Sequence, residues 1–191
     1  MKKIIVLFLL CYSANSMAQD YQLGSGVLLY RFNGNYTDRN SYLYSIDQTS
    51  VVFNLMFSGY FPLKQIKEEF YLGINPNAGM GFLNNTFSGD LPIYATLRYG
   101  SGSSSESLKD VGVAFGAGGR FSAFSTYLIN ATSNYSSFFV SPSIMAQVSF
   151  TPASNGKFSL RADFTPLPVN KDNGKFVGQI TQYNFLLMRT F

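Results

Sequence analysis

Phe70-Tyr71-Leu72-Gly73-Ile74-Asn75-Pro76-Asn77-Ala78-Gly79-Met80-Gly81-Phe82 alternates with a period of two. Phe70, Leu72, Ile74, Ala78, Met80 and Phe82 fall on one side, and Tyr71, Gly73, Asn75, Asn77, Gly79 and Gly81 on the other. That period is the mark of a β-strand. The same contrast recurs along the chain. Val111, Val113, Phe115, Ala117 and Phe121 alternate with Gly112, Ala114, Gly116, Gly118 and Arg120, and Phe158, Leu160, Ala162 and Phe164 with Ser159, Arg161, Asp163 and Thr165. In Val51–Phe61 the odd positions read Val, Phe, Leu, Phe, Gly, Phe, while the even ones mix Val52, Asn54, Met56, Ser58 and Tyr60.

Working outward from these segments, the alternation predicts eight strands, at residues 21–32, 50–63, 70–84, 91–100, 111–124, 137–151, 158–166 and 176–191. Between them lie stretches with turn chemistry: Lys64 to Glu69, the Ser/Gly-rich Ser101 to Asp110, and Pro152 to Lys157 on one side. Asn33 to Thr49, Asn85 to Asp90, Ser125 to Ser136 and Leu167 to Lys175 fall on the other, with Asn33 to Thr49 the longest. An even strand count puts both termini at one end. The expected architecture is all-β, an eight-stranded antiparallel up-and-down barrel with short turns at the end bearing the termini and longer loops opposite. Pro76 and Pro142 fall inside expected strands, where each removes a ladder donor, so a bulge or a displaced boundary is expected there.

Alternation alone suits a soluble barrel as well as a membrane one. Composition separates them. Charged residues are 13% of the chain and aromatics 17%, against about 25% charged in a soluble domain. The face opposite the bulky residues is mostly Gly, Ala, Ser, Asn and Thr, so a water-soluble version would lack charges to cover its exterior. Lipid resolves this: apolar side chains meet acyl chains and small polar ones fill a narrow lumen. Closure pairs every backbone N–H and C=O, as hydrocarbon requires. The expected fold is therefore a transmembrane barrel, with Tyr30, Tyr60, Phe61, Phe70, Tyr99, Phe150 and Tyr183 as candidates for its interfacial aromatic girdles.

The first 18 residues read as a cleaved signal peptide. Lys2 and Lys3 precede an apolar run from Ile4 to Leu10, and Ser16-Met17-Ala18 supplies small residues at a cleavage site. Leu9 and Leu10 before Cys11 lack the small residues of a lipoprotein leader. Residues 19–191 then form one barrel domain without cysteine, and hence without an internal disulfide. Without Lys2 and Lys3 the 14 basic residues become 12 against 10 acidic, a net charge of +2. No basic cluster suggests a nucleic-acid partner.

The last stretch, Gln182-Tyr183-Asn184-Phe185-Leu186-Leu187-Met188-Arg189-Thr190-Phe191, ends in Phe and meets Leu187, Phe185 and Tyr183 on stepping back by twos. It resembles the C-terminal strand of bacterial outer-membrane barrels. Arg189 departs from that pattern, and at a membrane edge its guanidinium can snorkel to headgroups. With leader and strand count, the chain is similar to small eight-stranded OmpA/OmpX-type barrels, particularly the outer-membrane β-barrel proteins of Bacteroidetes. The resemblance implies outer-membrane placement. It also implies that the barrel-assembly machinery reads Tyr183, Phe185, Leu187 and Phe191, and that lipid and lipopolysaccharide surround the barrel.

Chemistry is scarce. The chain contains no histidine, the usual base of nucleophilic triads. Gly116-Ala117-Gly118-Gly119 opens no helix and so makes no phosphate loop. No cofactor or metal motif is present. Parity places Arg98, Arg120, Arg161 and Asp163 inside, where charges must be paired or hydrated. A structural polar network is expected, with a selectivity element in a pore as the alternative. The expected function is non-enzymatic: a structural or surface-interaction barrel whose outer loops, rich in Tyr, Asn and Ser, offer contact chemistry to a partner. The alternatives are a narrow pore for small solutes and a soluble secreted ligand-binding barrel.

Overall fold

The computed structural model describes residues 20–37, 40–83, 85–101, 109–128, 133–151, 156–166, 168–172 and 176–191. The leader expected at residues 1–18 lies outside them. The strands are β1 (Asp20–Thr37), β2 (Leu43–Lys67), β3 (Phe70–Leu83), β4 (Thr86–Gly100), β5 (Val111–Leu128), β6 (Ser133–Phe150), β7 (Phe158–Phe164), β8 (Val169–Asp172) and β9 (Phe176–Thr190). Each pairs antiparallel with its successor up to β7. That strand then pairs with β9, and β9 with β1, which closes the ring.

β7 and β8 are two lengths of one stave. Between the pairs Phe164↔Tyr183 and Val169↔Ile180, the chain advances five residues on one side and three on the other. Pro166 and Pro168 fall in that step. With β8 counted into its stave the barrel has eight, up and down. Among the described residues no helix is long and apolar enough to cross a membrane; this chain crosses with strands.

Side-chain direction follows the alternation. Phe53, Leu72, Phe115, Leu160 and Phe185 are all exposed on the outer wall. The narrow ring demands close approach of the staves at its glycines: a Cβ on Gly26 would stand 1.8 Å from the Phe185 carbonyl oxygen, and one on Gly118 1.9 Å from that of Ile93.

The prolines are accommodated without a register shift at either position. On both sides of Pro76 the ladder skips pairs while its register is kept. There the Asn75 side-chain amide donates to the Gly59 carbonyl at 2.6 Å, and that of Asn77 to the carbonyls of Asn75 and Pro92. Side chains thus replace ladder bonds that Pro76 and Pro92 cannot supply. Pro142 lies two residues past Ile144↔Phe164, the last pair between β6 and β7. It occupies an edge, where proline is tolerated.

The loops differ from expectation. Asn33 to Thr49 is mostly strand, because β1 and β2 pair on to Thr37↔Leu43. The Asn85–Asp90 connection closes at Leu83↔Thr86, and Ser125–Ser136 at Leu128↔Ser133. β8 lies within Leu167–Lys175. The reason is a reversal of polarity along the staves. Outward positions of β2 read Phe57, Leu55, Phe53, Val51 and then Thr49, Asp47, Ser45; those of β1 read Leu23, Val27, Leu29 and then Arg31, Asn33, Asn35. Where the outside becomes polar the inside becomes apolar: Phe32, Tyr36, Ile46, Phe124, Leu128, Tyr135, Phe139, Phe176 and Ile180 form one buried cluster with Leu28, Tyr30 and Val52. Alternation continues with its faces exchanged, so a search for outward apolar residues stops early.

A tilted strand crosses hydrocarbon in roughly 9–11 residues, and β2 enters its apolar belt, Val51 to Phe61, only after Leu43 to Ser50 have paired with β1 above it. The molecule has the build of a transmembrane β-barrel, with an apolar outer belt below and an apolar-cored β-body above it. Of the seven candidate girdle residues, Tyr30 and Tyr60 are corrected: both are buried in the lumen at 0% and 1% exposure. They sit at even, inward positions of β1 and β2, where bulk is placed to fill the interior. Phe61, Phe70, Tyr99, Phe150 and Tyr183 lie on the outer wall.

Candidate functional site

The lumen of the membrane half is a built site. Arg161 and Asp163 are neighbours on the inward face of β7, two residues apart, and Arg161 Nε donates to Asp163 Oδ1 at 2.7 Å. Asp163 Oδ2 accepts from Arg120 Nη2 of β5 and from the Asn184 amide of β9, both at 3.1 Å. The second arm of Arg161 donates through Nη1 to the side-chain oxygens of Asn75 at 3.2 Å and Asn77 at 2.7 Å, on β3. Asn184 accepts in turn from Asn54 of β2 at 3.0 Å. The Tyr94 hydroxyl of β4 meets Ser143 of β6 at 2.9 Å, and its ring underlies the Arg161 guanidinium at 5.3 Å. One carboxylate thereby draws together side chains from seven staves. Arg120, Arg161 and Asp163 are at most 2% exposed.

Two further carboxylates complete the lumen. Asp90 of β4 accepts from Ser122, from Tyr30 at 3.3 Å and from Gln182 at 3.3 Å, just below the apolar cluster. Asp20, at the mouth bearing the termini, pairs with Arg98 at 3.6 Å and Lys157 at 3.4 Å. The Arg98 guanidinium also lies over the Tyr60 ring, its carbon 3.8 Å from the ring centre. Among the described residues the buried charges are thus Arg98, Arg120 and Arg161 against Asp20, Asp90 and Asp163. The balance is neutral, which matters where desolvation makes any surplus charge costly.

The structure brings Arg120, Arg161 and Asp163 into direct contact and places Arg98 apart, in the layer nearer the termini. Asp20 and Asp90 are functional-site residues that the sequence reading missed. Asp90 falls in the expected connection Asn85 to Asp90, and Asp20 just ahead of the first expected strand. The parity signal was present: Asp90 shares its face with Tyr94, Thr96 and Arg98, and Asp20 shares its own with Gln22.

Chemically the arrangement is a clamp. Asp163 is held between two guanidiniums, Arg120 at 3.1 Å and Arg161 at 2.7 Å. Among the described residues no cluster of three metal-ligating side chains exists.

On β9, Tyr183, Phe185, Leu187 and Phe191 all point outward and are exposed. Arg189 shares that face, its guanidinium 5.9 Å from the Phe158 ring and 5.8 Å from the Phe191 ring. At the opposite rim, the β1–β2 hairpin presents Tyr42 and Leu43, 64% and 69% exposed.

No protein-family model matches the chain and no curated sequence relative is found. Among solved structures the chain is similar to Neisserial surface protein A, with 11% identity over 90% of this chain and 97% of that one and a TM-score of 0.46. It is also similar to Ail, the attachment invasion locus protein of Yersinia pestis, with 11% identity over 92% and 100% and a TM-score of 0.45. A third is the N-terminal β-barrel domain of OprF from Pseudomonas aeruginosa, with 10% identity over 91% and 99% and a TM-score of 0.46.

Proposed function

We propose that this chain is a non-enzymatic, non-conducting outer-membrane barrel with a structural or surface-interaction role, acting through the β-body it projects beyond the lipid. The observation that carries this reading is the double closure of the lumen. An ion-paired core on β5 and β7, extended by hydrogen-bonding side chains to seven staves in all, crosses it within the belt, and the apolar cluster lies above. Eight staves enclose an interior that side chains can fill, and here they fill it. A selectivity element needs a path beside it, and side chains crossing the lumen favour the closed reading over the narrow-pore alternative. The apolar belt speaks against the soluble alternative.

On this reading the membrane half is an anchor. The projecting hairpins, with Tyr42 and Leu43 at their edge, meet lipopolysaccharide or a surface partner, and Tyr183, Phe185, Leu187 and Phe191 serve recognition by the assembly machinery. Planar-bilayer recording of the purified barrel tests the closure: a flat baseline is expected, and reproducible unitary steps would overturn it. The surface role is tested by binding purified lipopolysaccharide to wild type and to the Tyr42→Ser, Leu43→Ser double variant. Weaker binding by the variant is expected; equal binding, or none by either, removes the rim from the mechanism.

A further inference from the structure

The lipid-facing wall is not uniform. One row of outward side chains reads Val27, Phe185, Ala162, Ala146, Phe115 across β1, β9, β7, β6 and β5, each paired with the next in the ladder. Two alanines therefore sit between two phenylalanines, both more than half exposed. With staves about 4.8 Å apart, the phenylalanine backbones stand roughly 14 Å from one another, with an alanine floor between them. The row above places Ile144 and Phe164 over the floor, and the row below Val148 and Leu160. The result is a groove of about 620 Å³ in the belt. It adjoins a second groove of about 300 Å³ through the shared residues Ser25 and Leu187.

Arg189 lines that second groove. It stands four residues from Phe185 along β9, about 13 Å towards the rim bearing the termini. Its row is the rim itself, since Phe158 opens β7, Phe150 closes β6 and Val111 opens β5. Among the described residues no carboxylate ion-pairs with it. The guanidinium is set instead between two aromatic rings. A lone cation at the headgroup level, heading an apolar groove that runs into the belt, has the polarity of one particular amphiphile.

We propose that this groove holds a glycerophospholipid with an anionic headgroup, from the leaflet on the side of the termini. Its phosphate meets Arg189 and one acyl chain lies on Ala146 and Ala162 between Phe115 and Phe185. The inference rests on the membrane placement of the barrel and not on the role of its outer rim. A second copy of the chain would fill the notch but would leave Arg189 without an anion.

Native mass spectrometry of the detergent-solubilised barrel titrated with phosphatidylglycerol or phosphatidylcholine is the test. Wild type should retain a single phosphatidylglycerol, preferred about fivefold over phosphatidylcholine, the scale of one basic side chain at an anionic surface. Arg189→Gln should abolish the preference while leaving residual binding of both lipids. Ala162→Phe, which fills the notch from the lipid side, should reduce binding of both, and Ala146→Leu serves if the larger residue hinders folding. Retained heat-modifiable gel mobility shows that each variant is folded. A wild type without headgroup preference, an unchanged preference in Arg189→Gln, or a dimer lost with Ala162→Phe would each overturn the proposal. Loss of rim binding in Tyr42→Ser, Leu43→Ser would leave this result untouched.

Discussion

The membrane half and the projecting half of this barrel are made from the same staves with their faces exchanged. Below, Phe53, Leu55 and Phe57 look out and Asn54, Ser58, Arg120 and Asp163 look in; above, Asp47 and Ser45 look out and Phe32, Ile46 and Phe124 look in. Hydrocarbon and water each demand a matching outer face, and the inside takes whatever residues remain. The lower core is therefore held by charge and hydrogen bonds, the upper one by apolar burial. The two should fail differently when cut.

The largest effect is expected from Asp163→Ala. It removes the acceptor of both Arg120 and Arg161, leaving two buried guanidiniums uncompensated. Breaking one buried pair costs about 3–5 kcal/mol, so a loss near the top of that range is expected. The folded, heat-modifiable band in a urea series reads it out. A midpoint equal to wild type would show that the lower core does not depend on its charges.

Phe32→Ala makes the corresponding cut above. Phe32 contacts Tyr30, Phe124, Tyr135 and Phe176 within the apolar cluster. Truncating a buried phenylalanine costs about 3–5 kcal/mol. Here the damage should stay in the projecting body, with faster proteolysis of the outer hairpins while the membrane half keeps its gel shift. Simultaneous loss of both halves would merge them into one cooperative unit.

A single substitution placed on both outer faces sharpens the contrast further. Leu55→Arg puts a charge near the middle of the belt, where the cost is about 2–4 kcal/mol. Ser45→Arg puts the same charge on the projecting wall, where surface changes fall within about 0.5 kcal/mol. Refolding into lipid vesicles compares the two. Equal penalties would move the lipid boundary above Val51.

The membrane half was legible in the sequence because its outward residues are mostly apolar: Phe70 to Phe82 establishes strand and faces, and the low share of charged residues in the chain adds the solvent. The upper half was harder to read. Tyr36, Ile46 and Tyr135 lie among Asn, Ser and Thr, and only a reader expecting the faces to exchange would see strand in a composition typical of loops. The same bias left Asp90 outside its expected strand, whereas Tyr30 and Tyr60 share the inward parity of Leu28 and Ser58. Parity groups Arg98, Arg120, Arg161 and Asp163 on inward faces. Which guanidinium reaches which carboxylate depends on stagger between staves, and alternation within one strand carries no information about that.

The smallest expected effect comes from the projecting wall's own ion pair. Arg31 Nε and Asp47 Oδ1 are 3.6 Å apart on β1 and β2, their side chains 56% and 66% exposed. The groups match those of Arg120 and Asp163, whose side chains are fully buried at 3.1 Å. In water, the attraction of the exposed pair is offset by hydration given up and by the freedom two long side chains lose, so such pairs contribute about 0–1 kcal/mol. Asp47→Asn should therefore shift the urea midpoint by less than the scatter between preparations, and raised salt should erase any difference that remains. A loss approaching that of Asp163→Ala would mean that the upper wall is not facing water, and the exchange of faces would have to be sought elsewhere along the staves.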